Sequence, residues 1–127
     1  MDFILKNKKL FAIIFWMWAA AIMIISLIPN GPKMKIEIKD SFYRLDYFLH
    51  FLVYFSLAIL FILWKVDKYF KVKSILIFYF LIGGLILAGL SEYAQIFVPG
   101  RTFNSYDFYS NISGIIVGIV VPKIIFK

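Results

Sequence analysis

One histidine stands out in an apolar stretch of the chain, together with two polar groups at helical spacing. His50 is the only histidine among the 127 residues. Asp46 precedes it by four residues and Tyr54 follows it by four, so in a helix all three share one face. A carboxylate beside an imidazole can orient the ring for general acid–base catalysis. The same pair can instead be a hydrogen-bonded contact that locks two helices together, and the spacing leaves both readings open.

Two further acids lie in apolar surroundings, each with an amide nearby. Glu92 is followed by Gln95, and Asp107 is followed by Asn111. The two acids can form a carboxylate pair that shares a proton, as general acids and bases do in several enzymes. A hard or intermediate divalent ion could also be bound by an oxygen-rich ligand set made of Asp46, His50, Glu92 and Asp107. Because no compact metal-binding motif accompanies them, we predict no metal and no other cofactor.

Arg101 lies in the short segment between these two acids. It can neutralise one of them, or it can recognise a phosphate or carboxylate head group with its planar fork of donors. Tyr54 is predicted to be a member of a polar network rather than a nucleophile. Gln95 and Asn111 are expected to bridge helices through hydrogen bonds. With Arg101 and Tyr54, these amides are also our candidates for contact with a substrate.

The elements that carry these residues are long apolar blocks. The chain is 63% hydrophobic, with a mean hydropathy of +0.89, which is far outside the usage of soluble domains. Blocks at about residues 10–28, 42–64, 74–97 and 106–121 are near the length needed to cross a hydrocarbon core of about 30 Å. The first block is too long for a signal peptide and is expected to be a retained anchor. The sequence therefore predicts an all-α membrane protein, a compact bundle of four transmembrane helices forming one domain.

The lysines and arginines predict the direction of the helices. With the N-terminus inside, nine basic residues lie on the inner side: Lys6, Lys8, Lys9, Lys65, Lys68, Lys71, Lys73, Lys123 and Lys127. Five lie outside: Lys33, Lys35, Lys39, Arg44 and Arg101. The positive-inside rule then places both termini in the cytoplasm.

The net charge of +7 is distributed in a way that excludes some function classes. Its lysines form short runs between apolar blocks, without a basic helix or aromatic interleaving, so no nucleic-acid partner is predicted. The expected partner is the lipid bilayer, and the run from Lys65 to Lys73 would also attract anionic lipid. Without cysteine, the chain has no disulfide, thiolate nucleophile or iron–sulfur site.

With this orientation, three helices bring their polar residues to one depth. Asp46 lies near the outer end of the second helix, and His50 is about 6 Å deeper. Glu92 near the end of the third helix and Asp107 near the start of the fourth fall in the same leaflet. Ionisable groups inside a span are costly and mark functional or packing sites. We therefore predict a polar pocket near the outer leaflet, between the second, third and fourth helices.

Two local patterns on the fourth helix predict its start and its packing face. Asn104 or Ser105 can cap its N-terminus, where the helix dipole favours the Asp107 carboxylate. Gly114 and Gly118 have GxxxG spacing, which permits close contact with a neighbouring helix.

In their order along the chain, these groups resemble the VanZ-like family of integral membrane proteins. The resemblance is carried by Asp46-x3-His50-x3-Tyr54, Glu92-x2-Gln95, Pro99-Gly100-Arg101 and Ser105-x-Asp107-x3-Asn111-x2-Gly114-x3-Gly118, and it covers residues 45–118. The family often has Asp-Lys before the histidine, whereas this chain has Asp46-Tyr47. A basic side chain at that place is therefore not part of the prediction.

The family takes its name from a protein linked to low-level resistance to the glycopeptide teicoplanin. The resemblance implies a role at the outer face of a bacterial membrane, on an anionic lipid-linked or cell-wall precursor. It implies no particular reaction. In this reading His50 and Glu92 would transfer protons, Asp46 would orient the imidazole, and Asp107 would complete the acidic set.

Two other function classes remain open from the sequence. A non-enzymatic scaffold for a wall-synthesis protein would use the polar groups for helix association. A small transporter, with the four helices paired in a homo-oligomer, is the third class. Against it, the inner halves of the predicted spans contain almost no ionisable group, so a continuous polar path is not indicated.

Overall fold

The computed structural model describes residues 2–29, 35–38 and 41–125. It contains four long helices, which are by length and composition able to cross a membrane. Their bounds are Lys8–Ser26 (α2), Leu45–Lys65 (α3), Ser74–Ala94 (α4) and Ser105–Ile125 (α5). A short helix, Asp2–Lys6 (α1), precedes them, and a 3₁₀ turn, Gln95–Phe97, extends α4. The prediction of four helices that are long and apolar enough to cross a membrane is confirmed.

A short antiparallel hairpin between α2 and α3 was not predicted. Its strands are Lys35–Ile38 (β1) and Ser41–Arg44 (β2), with Lys35 opposite Arg44 and Ile38 opposite Ser41. Because β2 occupies residues 41–44, α3 begins at Leu45 and not at about 42 as expected. The predicted all-α class holds for the four long helices, and the hairpin lies in the connection between the first two of them. Lys33, Lys39 and Lys127, which entered the charge count, lie outside the described residues.

The last helix is longer than predicted. The sequence suggested an end at Val121 because Pro122 follows, but α5 continues through Pro122 to Ile125. Pro122 lacks the N–H that would bond to the carbonyl of Gly118 and crowds that carbonyl, but only three residues of α5 follow it, so the disturbance is confined to the end of the helix. Pro122 is also buried, so packing favours keeping this turn helical.

The four helices alternate in direction, which gives the bundle two distinct ends. We call the end at which α4 finishes and α5 begins the cluster end. The opposite end, which carries the segment Lys65–Lys73, is called the lysine end. Trp18 on α2 donates its indole N–H to the carbonyl oxygen of Val53 on α3 at 3.1 Å. Phe15 of α2 lies 6.1 Å, ring to ring, from Phe61 of α3, so α2 and α3 run in opposite directions.

The closest approach in the bundle is between α3 and α5, which run in the same direction. A Cβ atom at Gly114 would collide with the carbonyl oxygen of Phe51 and would lie 2.9 Å from the backbone nitrogen of Phe55. At Gly118, a Cβ atom would lie 2.6 Å from the Cβ of Ala58 and 2.9 Å from the carbonyl oxygen of Phe55. The GxxxG prediction is thus confirmed: these glycines let α5 lie directly on the backbone of α3.

The half of the bundle nearer the lysine end is filled with aromatic and aliphatic side chains. The rings of Phe61 and Phe80 stack at a centroid distance of 4.2 Å and an interplanar angle of 11°. Phe15 packs against both rings and against Trp64. The buried polar side chains that the structure describes all lie toward the cluster end: Ser26, Ser91, Glu92, Gln95, Asp107 and Asn111. The two halves therefore differ sharply in polarity.

Candidate functional site

His50, on α3, is the point at which three helices meet through polar side chains. Its Nδ1 lies 3.0 Å from Oδ1 of Asn111 and 3.4 Å from Oε1 of Glu92. Its Nε2 lies 3.7 Å from Oδ2 of Asp107. The imidazole is 23% exposed, whereas Glu92 is fully buried. The sequence-predicted residues His50, Glu92, Asp107 and Asn111 are thus brought into one contact group, which we call the polar cluster.

Asn111 is the central member of the polar cluster. It is fully buried on α5, and its Nδ2 donates a hydrogen bond of 3.1 Å to Oε1 of Glu92 on α4. Gly114, three residues later, allows α5 to approach α3 closely. That approach brings the short asparagine side chain within reach of His50. Asn111 therefore bridges helices, as predicted, and joins all three.

Asp46 lies on the same helix as His50, nearer the cluster end. It lies in the first turn of α3, partly buried, one turn before His50. The polar contacts of the imidazole run to α4 and α5, to Glu92, Asp107 and Asn111. Asn111 makes the closest of these contacts, at 3.0 Å from Nδ1, and the orienting role of Asp46 stays a prediction. A spacing of four places Asp46 and His50 on one face, but it does not decide which neighbour reaches the ring.

Tyr54 takes part in a second polar contact, one turn deeper on α3. Its hydroxyl lies 2.8 Å from Oγ of Ser91, which also donates to the carbonyl oxygen of Ala88 at 3.0 Å. Tyr54 and Ser91 are 1% and 3% exposed. Ser91 is not among the residues predicted from the sequence. It precedes Gln95 by four residues and so shares a face with it, which is the signal that could have identified it.

The connection between α4 and α5 is shaped by its sequence and carries Arg101. The backbone N–H of Arg101 bonds to the carbonyl of Val98, and Gly100 has a φ of +78°. Pro99 followed by a glycine with positive φ is typical of a type II turn. The guanidinium Nη1 of Arg101 donates to the carbonyl oxygen of Ile28 at 3.2 Å, which ties this turn to the end of α2.

Two more predicted residues lie at the same end of the bundle. Gln95 is buried in the 3₁₀ turn that follows α4, three residues beyond Glu92. Asn104 caps α5, because its Oδ1 accepts a hydrogen bond of 3.0 Å from the backbone N–H of Tyr106. The alternative cap, Ser105, is the first residue of the helix. Asp107 follows in the first turn, where the helix dipole favours a carboxylate.

Comparison with known proteins gives no relative for this chain. No protein-family model, no curated protein and no solved structure matches it. What the polar cluster can do must therefore be inferred from its own atoms.

The electrostatic balance of the polar cluster favours proton exchange. Two buried carboxylates, Glu92 and Asp107, face one imidazole, and a charged group in a membrane interior is costly without a partner. Oε2 of Glu92 is buried and has no hydrogen-bond partner among the described residues. A proton that moves from a protonated imidazole to one of the carboxylates leaves the net charge of the site unchanged and reduces the number of charged groups from three to one. Such a group of titratable side chains is suited to general acid–base chemistry.

A metal ion is less well served by this arrangement. In the part of the chain that the structure describes, no three His, Cys, Asp or Glu side chains are placed to hold an ion together. Two cavities formed by the described residues also lie away from the polar cluster. One, of about 260 Å³, is apolar, lies at the lysine end and is lined by residues that include Leu63, Phe70 and Val121. A polar pocket open at the cluster end stays a prediction.

Proposed function

We propose that this chain is a VanZ-like membrane protein of the bacterial envelope, which acts on or binds an anionic lipid-linked or cell-wall precursor in the outer leaflet. The observation that carries the proposal is the polar cluster itself. His50, Glu92 and the pair Asp107 and Asn111 come from three different helices, yet the imidazole of His50 lies 3.0 to 3.7 Å from each of the other three side chains. The same residues carry the resemblance to the VanZ-like family.

The proposal places the cluster end at the outer face and both termini in the cytoplasm. The lysine-rich end would then lie inside, as the positive-inside rule requires. Because the chain has no cysteine, single cysteines can test this in intact cells. A membrane-impermeant maleimide should label Thr102→Cys, which is exposed at the cluster end, and should label Lys68→Cys only after the cells are opened. Labelling of Lys68→Cys alone in intact cells would reverse the orientation.

In the proposed mechanism, His50 and Glu92 transfer protons to and from the substrate, and Asp107 stabilises the charged imidazole. Asn111 holds the imidazole and Glu92 in place through its two hydrogen bonds. Arg101, in the turn at the same end, would bind the anionic head group, since a guanidinium matches the geometry of phosphate and carboxylate. Tyr54, Gln95 and Asp46 would shape the site around them.

The test is teicoplanin susceptibility in a sensitive Gram-positive host. The host would express the wild type, His50→Ala or Glu92→Gln, with the amount of protein in the membrane matched. Ser113→Ala is the control, because this exposed hydroxyl bonds only within α5, to the carbonyl of Tyr109. We expect protection by the wild type and the control, and loss of protection in both cluster variants. Equal protection by all four proteins would contradict a chemical role for the cluster.

A second candidate function is a scaffold that binds a wall-synthesis protein without chemistry. One observation favours it: the bonds of Asn111 and the Tyr54–Ser91 bond all join different helices, as contacts for assembly do. If the protein is such a scaffold, His50→Ala would lower its thermal stability under conditions in which protection is still intact. A transporter is disfavoured, because the stacked Phe61 and Phe80 rings fill the core at the lysine end.

A further inference from the structure

The side-chain amide of Asn111 lies between two groups that fix its orientation. One end of the amide is 3.1 Å from Oε1 of Glu92, and the other is 3.0 Å from Nδ1 of His50. A carboxylate oxygen accepts hydrogen bonds and does not donate them. With Glu92 ionised, the nitrogen end of the amide therefore faces Glu92, which is the arrangement in the structure. With the amide turned over, its oxygen would meet the carboxylate oxygen, and the bond would be replaced by repulsion.

The orientation of the amide in turn fixes the position of the hydrogen on the imidazole. The oxygen end of Asn111 is an acceptor, so the Nδ1 atom that faces it must carry the hydrogen. Oε1 of Glu92, 3.4 Å from the same Nδ1, is an acceptor on the same side of the ring. In a neutral imidazole only one nitrogen carries hydrogen. Nε2 of His50 is then the unprotonated nitrogen.

Nε2 lies on the side of the ring that faces Asp107. Its neighbour is Oδ2 of Asp107 at 3.7 Å, which is longer than a hydrogen bond. Asp107 lies one helical turn nearer the cluster end than Asn111. Nδ1, by contrast, faces the fully buried Asn111 and Glu92. The two nitrogens of the only histidine therefore differ in their partners: Nδ1 has two within 3.4 Å, and Nε2 has none within hydrogen-bond distance among the described residues.

We infer that Asn111 is a positioning residue that holds neutral His50 in its Nδ1–H tautomer and leaves Nε2 as the proton acceptor. The substrate group it would serve is a hydroxyl on the anionic head group, and this part rests on the proposed function. In that step the O–H bond of the hydroxyl breaks, its electron pair stays on oxygen, and an N–H bond forms at Nε2. The Asp107 carboxylate faces the positive charge that develops on the ring.

The tautomer can be read directly, because one histidine gives one pair of ring signals. The wild type would be labelled with ¹⁵N-histidine, placed in lipid nanodiscs and studied by NMR above the titration midpoint of the imidazole, measured on the same sample. We expect a protonated-type signal from Nδ1 and an unprotonated-type signal from Nε2. The opposite assignment in the wild type would overturn the inference, whatever the variants do.

Three variants test the role of Asn111 itself. Asn111→Leu keeps a similar volume and removes both hydrogen bonds, so the ring should become a mixture of tautomers. Ser110→Ala, its neighbour, loses only a bond to the carbonyl of Tyr106 and should keep the wild-type tautomer. Glu92→Gln should also keep it, since the glutamine oxygen can still accept from Asn111. An unchanged tautomer in Asn111→Leu would refute the positioning role.

The NMR test of the tautomer and the susceptibility test of the proposed function can give opposite results. If the Nδ1–H tautomer is found while His50→Ala retains full protection, the proposed function fails and the tautomer assignment stands. If the wild type holds the Nε2–H tautomer while His50→Ala loses protection, the proposed function stands and this inference fails.

Discussion

Tyr54 on α3 and Ser91 on α4 share a hydrogen bond of 2.8 Å in which the tyrosine is the donor. The direction follows from the other bond of Ser91, whose single hydroxyl hydrogen is given to the carbonyl oxygen of Ala88. Both side chains are almost fully buried. The two partners are therefore unequal: Ser91 keeps a bond if Tyr54 is lost, whereas the Tyr54 hydroxyl loses its described acceptor if Ser91 is lost.

This inequality predicts a specific order of stability. Tyr54→Phe should cost about 0.5–1 kcal/mol, since side-chain bonds between membrane helices average about 0.6 kcal/mol. Ser91→Ala should cost more, about 1–3 kcal/mol, because it leaves a buried donor unsatisfied. The double variant should be close to Tyr54→Phe alone. Unfolding of purified protein in mixed micelles measures all three values.

Ser113→Ala is the control for this series, because its hydroxyl is exposed and bonds within α5. Its free energy of unfolding should match that of the wild type. Equal losses for Tyr54→Phe and Ser91→Ala, with additive losses in the double variant, would contradict the assigned donor direction.

The glycines of the bundle predict a second contrast. Gly114→Ala and Gly118→Ala would each place a methyl group against the backbone or Cβ atoms of α3, and overpacking of this kind costs about 1–3 kcal/mol. A Cβ atom at Gly83, on α4, would meet no neighbouring atom within 4 Å. Gly83→Ala should therefore be neutral, or should stabilise the helix by up to about 1 kcal/mol.

The same unfolding measurement checks both kinds of variant. A second readout is the polar cluster: Gly114→Ala should also disturb the ring signals of His50, because it pushes α5 and Asn111 away from α3. If Gly114→Ala proved as stable as Gly83→Ala, the close approach of α3 and α5 would be wrong.

The fold could be predicted largely from hydrophobic blocks, and the site only in part. Block lengths give the four spans, because a helix in lipid must satisfy its own backbone. Spacing places His50, Glu92, Asp107 and Asn111 on faces and at depths that agree. It cannot give the rotation and approach of one helix against another. That approach, set here by Gly114, brings Asn111 within 3.0 Å of Nδ1 of His50.

The unpredicted hairpin has a related physical cause. Lys35-Ile36-Glu37-Ile38 alternates polar and apolar residues as a strand does, but four residues are too few to distinguish this pattern from chance. Ser91 was missed for a different reason. A serine in a helix can bond to its own backbone, as Ser91 does with Ala88, so its type alone indicates no partner.

Trp18 and Trp16 offer a third contrast, on α2. Trp18 donates to the carbonyl oxygen of Val53, whereas Trp16 is 63% exposed. Trp18→Phe should cost about 1 kcal/mol through the lost bond and reduced contact. Trp16→Phe should change the free energy of unfolding by no more than about 0.5 kcal/mol. A larger loss for Trp16→Phe would mean that α2 presents a different face to α3.

The turn after α3 depends on one carboxylate at the lysine end. Oδ1 of Asp67 accepts hydrogen bonds from the backbone N–H groups of Tyr69 and Lys71, at 2.8 and 2.9 Å. Phe70, between them, has a φ of +56°, a conformation that costs free energy for a bulky residue. The bond from the Lys71 backbone contributes most to holding the pKa of Asp67 below its ordinary value of 3.8. The bonds to Asp67 therefore help to stabilise a strained turn.

The sign of the pH dependence follows from this lowered pKa. The carboxylate stabilises the turn fully above pH 3.8, and the contribution is lost as the pH falls through the lower pKa of the folded state. Protection of the Tyr69 and Lys71 amides against hydrogen exchange should fall over that range. In Asp67→Asn, protection should be weaker but independent of this titration, and in Asp67→Ala it should be lost at every pH. Equal protection in the alanine variant and the wild type at neutral pH would show that the turn forms without the carboxylate.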